Sequence, residues 1–154
     1  EQASSLYNHL KSKEEVLIKI CFENAEKFIT GITMVEQSGK SPVEQLRELV
    51  HLHINIAIED PTSVTVFNDE WRHLSKPYIN DFLSKRKDYE LRFKKIIEAG
   101  IEAGDFKAVD SNVALFTILT SIRWIHYWYK PTRNVSVEKL EADVFSILIG
   151  GIKK

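Results

Sequence analysis

Glycine and proline are scarce, six and four in a chain of 154 residues, and they fall between stretches of apolar periodicity. That leaves little punctuation for hairpins, and no alternating strand pattern bounded by turns is present, so the chain reads as all-α. One cysteine, Cys21, excludes an internal disulfide and fits a reducing compartment. No apolar run approaches the roughly 18 residues needed to cross a bilayer, and the polar, charged N-terminus carries no cleavable leader signal. A cytoplasmic protein with no membrane association is expected. The net charge is −1, so any contact with nucleic acid has to rest on a local basic patch rather than on the chain as a whole. There is no His-Glu-x-x-His, no cysteine pair and no carboxylate cluster at metal-ligand spacing. A glycine-rich phosphate loop and a Gly-x-Ser-x-Gly elbow are also missing. His51 and His53, two apart, point in different directions on a helix. Cys21 sits in an apolar stretch and reads as core, not nucleophile. No metal, cofactor or catalytic residue is therefore expected, and an enzyme is disfavoured.

What is present is a large supply of core. Hydrophobic residues make up 44% and charged residues 28%, with eight Phe, five Tyr and three Trp, enough for a buried interior and a soluble surface in a chain of one-domain length. Ser4 to Leu10 reads as the end of a helix and Lys11-Ser12-Lys13 as a turn. Ser12 with Glu15 then forms a capping box that opens a helix from about Lys13 to about Val35. Ser41-Pro42-Val43-Glu44 combines an N-cap, a first-turn proline and a capping glutamate. The helix it opens carries the stripe Leu46, Leu49, Val50, His53, Ile54, Ala57 and Ile58. Asp60-Pro61 ends that helix and starts a short one from about Thr62 to Leu74. A long helix follows from Tyr78 to about Ala103, and Gly104-Asp105-Phe106 is a turn. Asp110 caps a helix that is expected to run to about Tyr129, where Pro131 stops it. Ser136 caps the last, expected to reach about Ile149 and to close at Gly150-Gly151. The prediction is a bundle of six helices preceded by a helical stub.

The string Ser4-Ser5-Leu6-Tyr7-Asn8-His9-Leu10-Lys11-Ser12-Lys13-Glu14-Glu15-Val16-Leu17 resembles the end of the helix-turn-helix of TetR-family bacterial regulators. There a recognition helix ends in Leu-Tyr-x-His/Tyr-Phe and is followed by a Lys-x-Lys-Glu-Glu-Leu helix start; Leu10 stands where that family usually has Phe. Short polar side chains such as Ser4, Ser5, Asn8 and His9 suit a helix in the major groove. The resemblance implies that Tyr7 and Lys13 contact backbone phosphates, Lys13 at a helix N-terminus where amides attract an anion. It also implies that the first two helices of the headpiece and the start of the third precede Glu1, so this chain alone is expected to hold an operator poorly. On this reading residues 1–17 are the remnant of the DNA-binding domain and the start of the connecting helix, and residues 18–154 are a ligand-binding and dimerisation domain. The order Glu98-Ala-Gly-Ile-Glu-Ala-Gly-Asp-Phe106, Asp110, then Trp124-Ile-His-Tyr-Trp-Tyr129 is similar to the C-terminal body of that family. The likeness is greatest to the branch that senses acyl-CoA thioesters in fatty-acid or steroid catabolism.

Two surfaces follow from residue chemistry. Phe22, His51, Asn55, Phe67, Trp71, Phe82, Tyr89, Phe93 and Trp124 are candidates to line a mostly apolar pocket with a few orienting polar groups. Arg72, Lys85, Arg86, Arg92 and Arg123 are candidates to meet an anionic headgroup. The helix after Asp110 is apolar nearly all round and needs cover on two sides. Phe116, Leu119, Ile125 and Trp128, with Leu140, Val144, Phe145 and Leu148 from the last helix, are expected to form a four-helix dimer interface. The function expected is a homodimeric transcriptional regulator, a repressor by preference, whose affinity for operator DNA is set by a small hydrophobic effector such as an acyl-CoA. Three alternatives stay open at this point. One is a helical interaction module with neither ligand nor DNA, another a sensor of drugs or other hydrophobic compounds, and the third a small helical enzyme. A basic pocket mouth favours acyl-CoA, whereas a closed neutral cavity favours the drug type.

Overall fold

A computed structural model describes residues 2–131 and 134–154. Among them every regular element is helical: α1 (Gln2–Gln37), α2 (Pro42–Glu59), α3 (Pro61–Asp69), a 3₁₀ turn (Trp71–His73), α4 (Tyr78–Glu102), α5 (Ser111–Arg123), α6 (Ile125–Trp128) and α7 (Val137–Ile152). The caps read from sequence are in place. Ser41 accepts from the Glu44 amide, Asp60 from Ser63, Asp110 from Asn112 and Val113, and Ser136 from Lys139. Each satisfies amides that a helix start leaves without partners. Gly104, at φ 80°, makes the turn after α4 in a conformation that side chains rarely adopt.

Four expectations need correction. No turn occurs at Lys11-Ser12-Lys13, and α1 runs unbroken for 36 residues, so Ser12 and Glu15 form no capping box. None of the three is Gly or Pro, and residues 2–13 are all exposed, so no described packing bends the chain there. The boundary drawn between residues 17 and 18 thus falls inside one helix. The helix from Thr62 stops at Asp69 and tightens into the 3₁₀ turn, which aims Trp71 onto Phe82 at 5.9 Å between rings and buries Leu74. The helix from Asp110 breaks at Trp124, where the Tyr127 amide reaches back only three residues, to the Trp124 carbonyl at 3.0 Å. Finally, α7 passes through Gly150-Gly151. Ile152 is buried and its carbonyl accepts from the Lys107 amide at 2.7 Å, so a tertiary tie ends the helix instead of a glycine cap.

Phe28, Ile32 and Val35 of α1 pack with Leu46, Leu49 and Ile54 of α2, Phe93 and Ile97 of α4, Leu115 and Ile122 of α5, and Leu140 and Phe145 of α7 in one core. A smaller cluster under the 3₁₀ turn holds Cys21, Ala25, Leu74 and Phe82. Burial there lifts the Cys21 thiol to about 11, so it stays protonated and behaves as a small apolar group. Polar links tie α1 to the α4 side along its length. Glu14 meets Ser75, Glu26 meets Lys85 at 2.8 Å, and Glu36 with Thr33 holds Arg92 at 2.5 and 2.7 Å. The carboxyl end of α7 is pinned to the loop before α5. Its start is pinned by the Tyr129 hydroxyl, which donates to the Val135 carbonyl at 2.9 Å. The α5–α6 pair and α7 therefore run antiparallel.

Candidate functional site

The sequence places an aromatic or branched residue on the inward face of every helix from α1 to α5, and the space left where these faces converge is a cavity. It is walled by Phe28 and Ile29 of α1, His53 and Ile56 of α2, Val64 and Phe67 of α3, Trp71, Phe82 and Tyr89, and Leu119 and Ile122 of α5. The aromatic walls are mutually braced. Phe28 stacks on Phe67 at 5.5 Å and meets Tyr89 edge-on at 5.6 Å, and Phe67 meets Phe82 edge-on at 5.5 Å. Such pairs are favourable beyond simple area burial. The space open to the centre of a water-sized sphere is about 80 Å³, room for a few waters but less than a drug-sized guest takes.

Two polar features break the apolar wall. In the first, His53 Nε2 and the Tyr89 hydroxyl share a hydrogen bond of 2.7 Å. Burial, with a smaller contribution from the Arg123 charge, depresses the His53 imidazolium to about 3, and burial raises the Tyr89 phenol. Both are neutral at ordinary pH, a couple fit to orient an uncharged carbonyl or hydroxyl. The second is a cationic rim of Lys85, Arg86 and Arg123. Lys85 is paired with Glu26; Arg86 is paired with Glu90 at 3.2 Å and lies over the Trp71 ring. Among the described residues the Arg123 guanidinium has neither an ion pair nor a hydrogen bond; burial first and the neighbouring Arg86 charge second disfavour its protonated form, and the Glu90 carboxylate on the same lining offsets this only in part. A desolvated, unpaired cation is costly and is relieved by an anion.

Of the residues expected in the pocket, Phe67, Trp71, Phe82 and Tyr89 line the cavity. Phe93 is buried one layer behind, edge-on to His53 at 6.4 Å. Phe22 faces an open groove between α1 and α2 on the outer side. His51 and Asn55 are exposed; His51 bonds Glu141 of α7 at 2.8 Å and accepts from Asn55 at 2.7 Å. Trp124, at the break after α5, is 46% exposed and leans on Tyr127. Among the basic candidates, Arg72 is exposed on the 3₁₀ turn and Arg92 is held on the α1–α4 seam. The residue missed by sequence reasoning is His53. It lies on the apolar stripe of α2, while His51 and Asn55 lie off it, and that register is the signal that finds it.

The expected dimer residues divide. Leu119, Ile125, Leu140 and Phe145 are buried within their own chain, so they are corrected to core; Arg47, for example, covers the Phe145 ring at 4.0 Å. Val144 and Leu148 are half-buried. Phe116 and Trp128 are about half exposed, and Val113 and Ile147 are more open still. The outward apolar face of α5–α7 therefore keeps Phe116 and Trp128 of the expected residues and adds Val113 and Ile147. The candidate DNA residues Ser4, Ser5, Tyr7, Asn8, His9 and Lys13 all lie on the exposed first third of α1. Ser4 and Asn8 share one face there and Ser5 and His9 the next.

These features define a helical ligand-cavity domain of the TetR type. The chain belongs to that family: residues 39–152 match the Tetracyclin repressor-like, C-terminal domain. It is a transcriptional regulator by family, and no helix among the described residues is long and apolar enough to cross a membrane. It is 26% identical over 153 residues to the HTH-type transcriptional repressor KstR2 of Mycolicibacterium smegmatis, covering 97% of this chain and 74% of that protein. The solved structure of the ketosteroid transcriptional regulator KstR2 of Mycobacterium tuberculosis superposes with a TM-score of 0.86 at 23% identity, over 98% of this chain and 78% of that one. AibR, solved in complex with isovaleryl coenzyme A and operator DNA, superposes at 0.81 with 22% identity, over 95% and 80%.

Proposed function

We propose that the protein is a homodimeric, cytoplasmic repressor whose hold on operator DNA is loosened by an anionic effector with an apolar body, of the acyl-CoA thioester class. The observation that carries this reading is Arg123, an unpaired guanidinium on the rim of an aromatic cavity. A phosphate or carboxylate supplies the charge that Arg123 lacks, and an acyl chain gains by leaving water for the ring-lined interior. The cationic rim speaks against a sensor of neutral drugs, and the isovaleryl coenzyme A named with AibR lends support. The cavity is smaller than such a guest, so binding displaces its walls. The helix that carries Phe28 also carries Ser4 to Lys13. Preference of the guest for the displaced arrangement is all that release from DNA requires. The exposed apolar residues of α5 and α7 supply the dimer contact.

Calorimetric titration with saturated acyl-CoA thioesters, free coenzyme A and the matching neutral ethyl esters tests the effector. Fluorescence anisotropy of DNA from upstream of the protein's own gene tests the release. Tight thioester binding with weak binding of both comparison ligands, and loss of anisotropy on thioester addition, is the expected result. Equal binding of the neutral esters moves the reading to a general hydrophobic sensor. A monomer that takes up no guest moves it to an interaction module.

A further inference from the structure

The cavity walls differ in what stands behind them. Phe28, Val64, Leu119, Ile122 and Ile56 itself belong to the packed interior, with Phe67 against it, and Phe82 belongs to the second cluster. Ile56 has a second exposure: it lines the cavity on one side and, on the other, the open groove between α1 and α2 formed with Phe22, Gly31, Met34 and Leu52. No other described residue lines both spaces. One turn earlier, Leu52 seals the same seam by packing so closely on Gly31 that a methyl group there would collide with it. Ile56 itself is 5% exposed, so a single layer of side chain separates cavity from solvent at this point.

We propose that Ile56 is the partition that sets how long an apolar guest the cavity accepts. This rests on the reading that the cavity takes such a guest. The charge pattern fixes the guest's direction. Arg86 and Arg123 hold the anionic end on their side. The outer groove is edged by Glu23, Glu26, Glu59 and Lys27, each glutamate paired with a lysine, so it offers an anionic end no cation free of a carboxylate partner. With its anionic end at the arginines, the tail lies along the apolar lining, and Ile56 bounds that lining toward the groove. Replacing Ile56 by a smaller residue joins cavity to groove and lets a longer tail pass; a larger residue shortens the tail that fits.

The test uses straight-chain alkanoates from butanoate to hexadecanoate, which carry a carboxylate and a tail but no nucleotide, and the corresponding acyl-CoA thioesters in parallel. Affinity is measured for the native chain, Ile56→Val, Ile56→Ala and Ile56→Phe, with circular dichroism to confirm that each is folded. Below the limit each added methylene tightens binding about fourfold; at the limit the gain stops. The limit is expected to move about one methylene longer in Ile56→Val, about two to three longer in Ile56→Ala, and shorter in Ile56→Phe. Ile56→Val removes one methyl and keeps the test open if Ile56→Ala does not fold. A limit shared by the folded variants overturns the proposal, as does failure of every alkanoate to bind. Shifted alkanoate limits without any thioester binding leave the partition standing and sink the thioester reading instead.

Discussion

Lowering the pH from about 7 to about 4.5 protonates an ordinary histidine, yet in the folded chain His53 resists, because its imidazole sits against Phe28, Phe93 and the Tyr89 hydroxyl with Arg123 nearby. Its folded value is depressed to about 3 from an ordinary 6.5. The unfolded chain therefore binds a proton that the folded chain declines. Stability from this source is fully present above pH 6.5 and drains as pH falls from 6.5 toward 3. At pH near 4.5 the unfolded histidine is about two units below its value, which corresponds to about 2 to 3 kcal/mol lost. Carboxylates titrate over the same range, so the measurement has to be a difference. Urea denaturation of the native chain and of His53→Gln, followed by circular dichroism at several pH values, isolates it. Glutamine keeps a partner for the Tyr89 hydroxyl and carries no titratable group. The native chain should lose about 2 kcal/mol more than the variant between pH 7 and pH 4.5. Parallel stability curves would refute the claim that His53 is held neutral by its surroundings.

Replacing the unpaired cation tests the rim. Arg123→Leu should leave the guest-free chain as stable as before or about 1 kcal/mol more so, because a desolvated charge is exchanged for packing. The same variant should bind acyl-CoA about tenfold or more weakly; calorimetry showing unchanged affinity would remove Arg123 from the effector site. On the outer face, Phe116→Glu places a charge on the open side of α5, where Val113 is also exposed. Sedimentation velocity should show dissociation to single subunits with helicity intact, and an unchanged dimer would place the contact elsewhere.

Caps and stripes were legible because they are local. Ser41, Asp60, Asp110 and Ser136 start the helices they were expected to start, since each acts on amides two or three residues away. Helix ends were less legible where distant residues decide them. Gly150-Gly151 looks like a stop, but the contacts of Ile152 with the Phe106–Lys107 strip override it. The cavity was half legible. Aromatic content pointed to Phe67, Trp71 and Tyr89, whereas choosing His51 and Asn55 over His53 ignored the register of the α2 stripe. The outward apolar face was half legible for the same reason. An all-apolar helix does not announce which apolar residues its own core takes, and here the core takes Leu119 and Ile125 and leaves Phe116 and Trp128.

The continuity of α1 bears directly on how a guest could act at a distance. Ala25, Phe28 and Ile29 touch the cavity, and Tyr7 lies on the same unbroken helix, roughly 32 Å away along its axis. A helix with a turn at Lys11 to Lys13 could absorb motion there; this one cannot. A tilt of about 5° about the cavity contact carries the Tyr7 end about 3 Å, the length of a hydrogen bond. The polar links of α1 to Ser75, Lys85 and Arg92 oppose that tilt only weakly, because partly exposed ion pairs contribute on the order of 0 to 1 kcal/mol each. Arg92 also bonds Asp88, and Lys85 stands at the cavity rim beside Arg86. An anion bound on that rim would compete with Glu26 for Lys85 and so weaken one of the ties between α1 and α4.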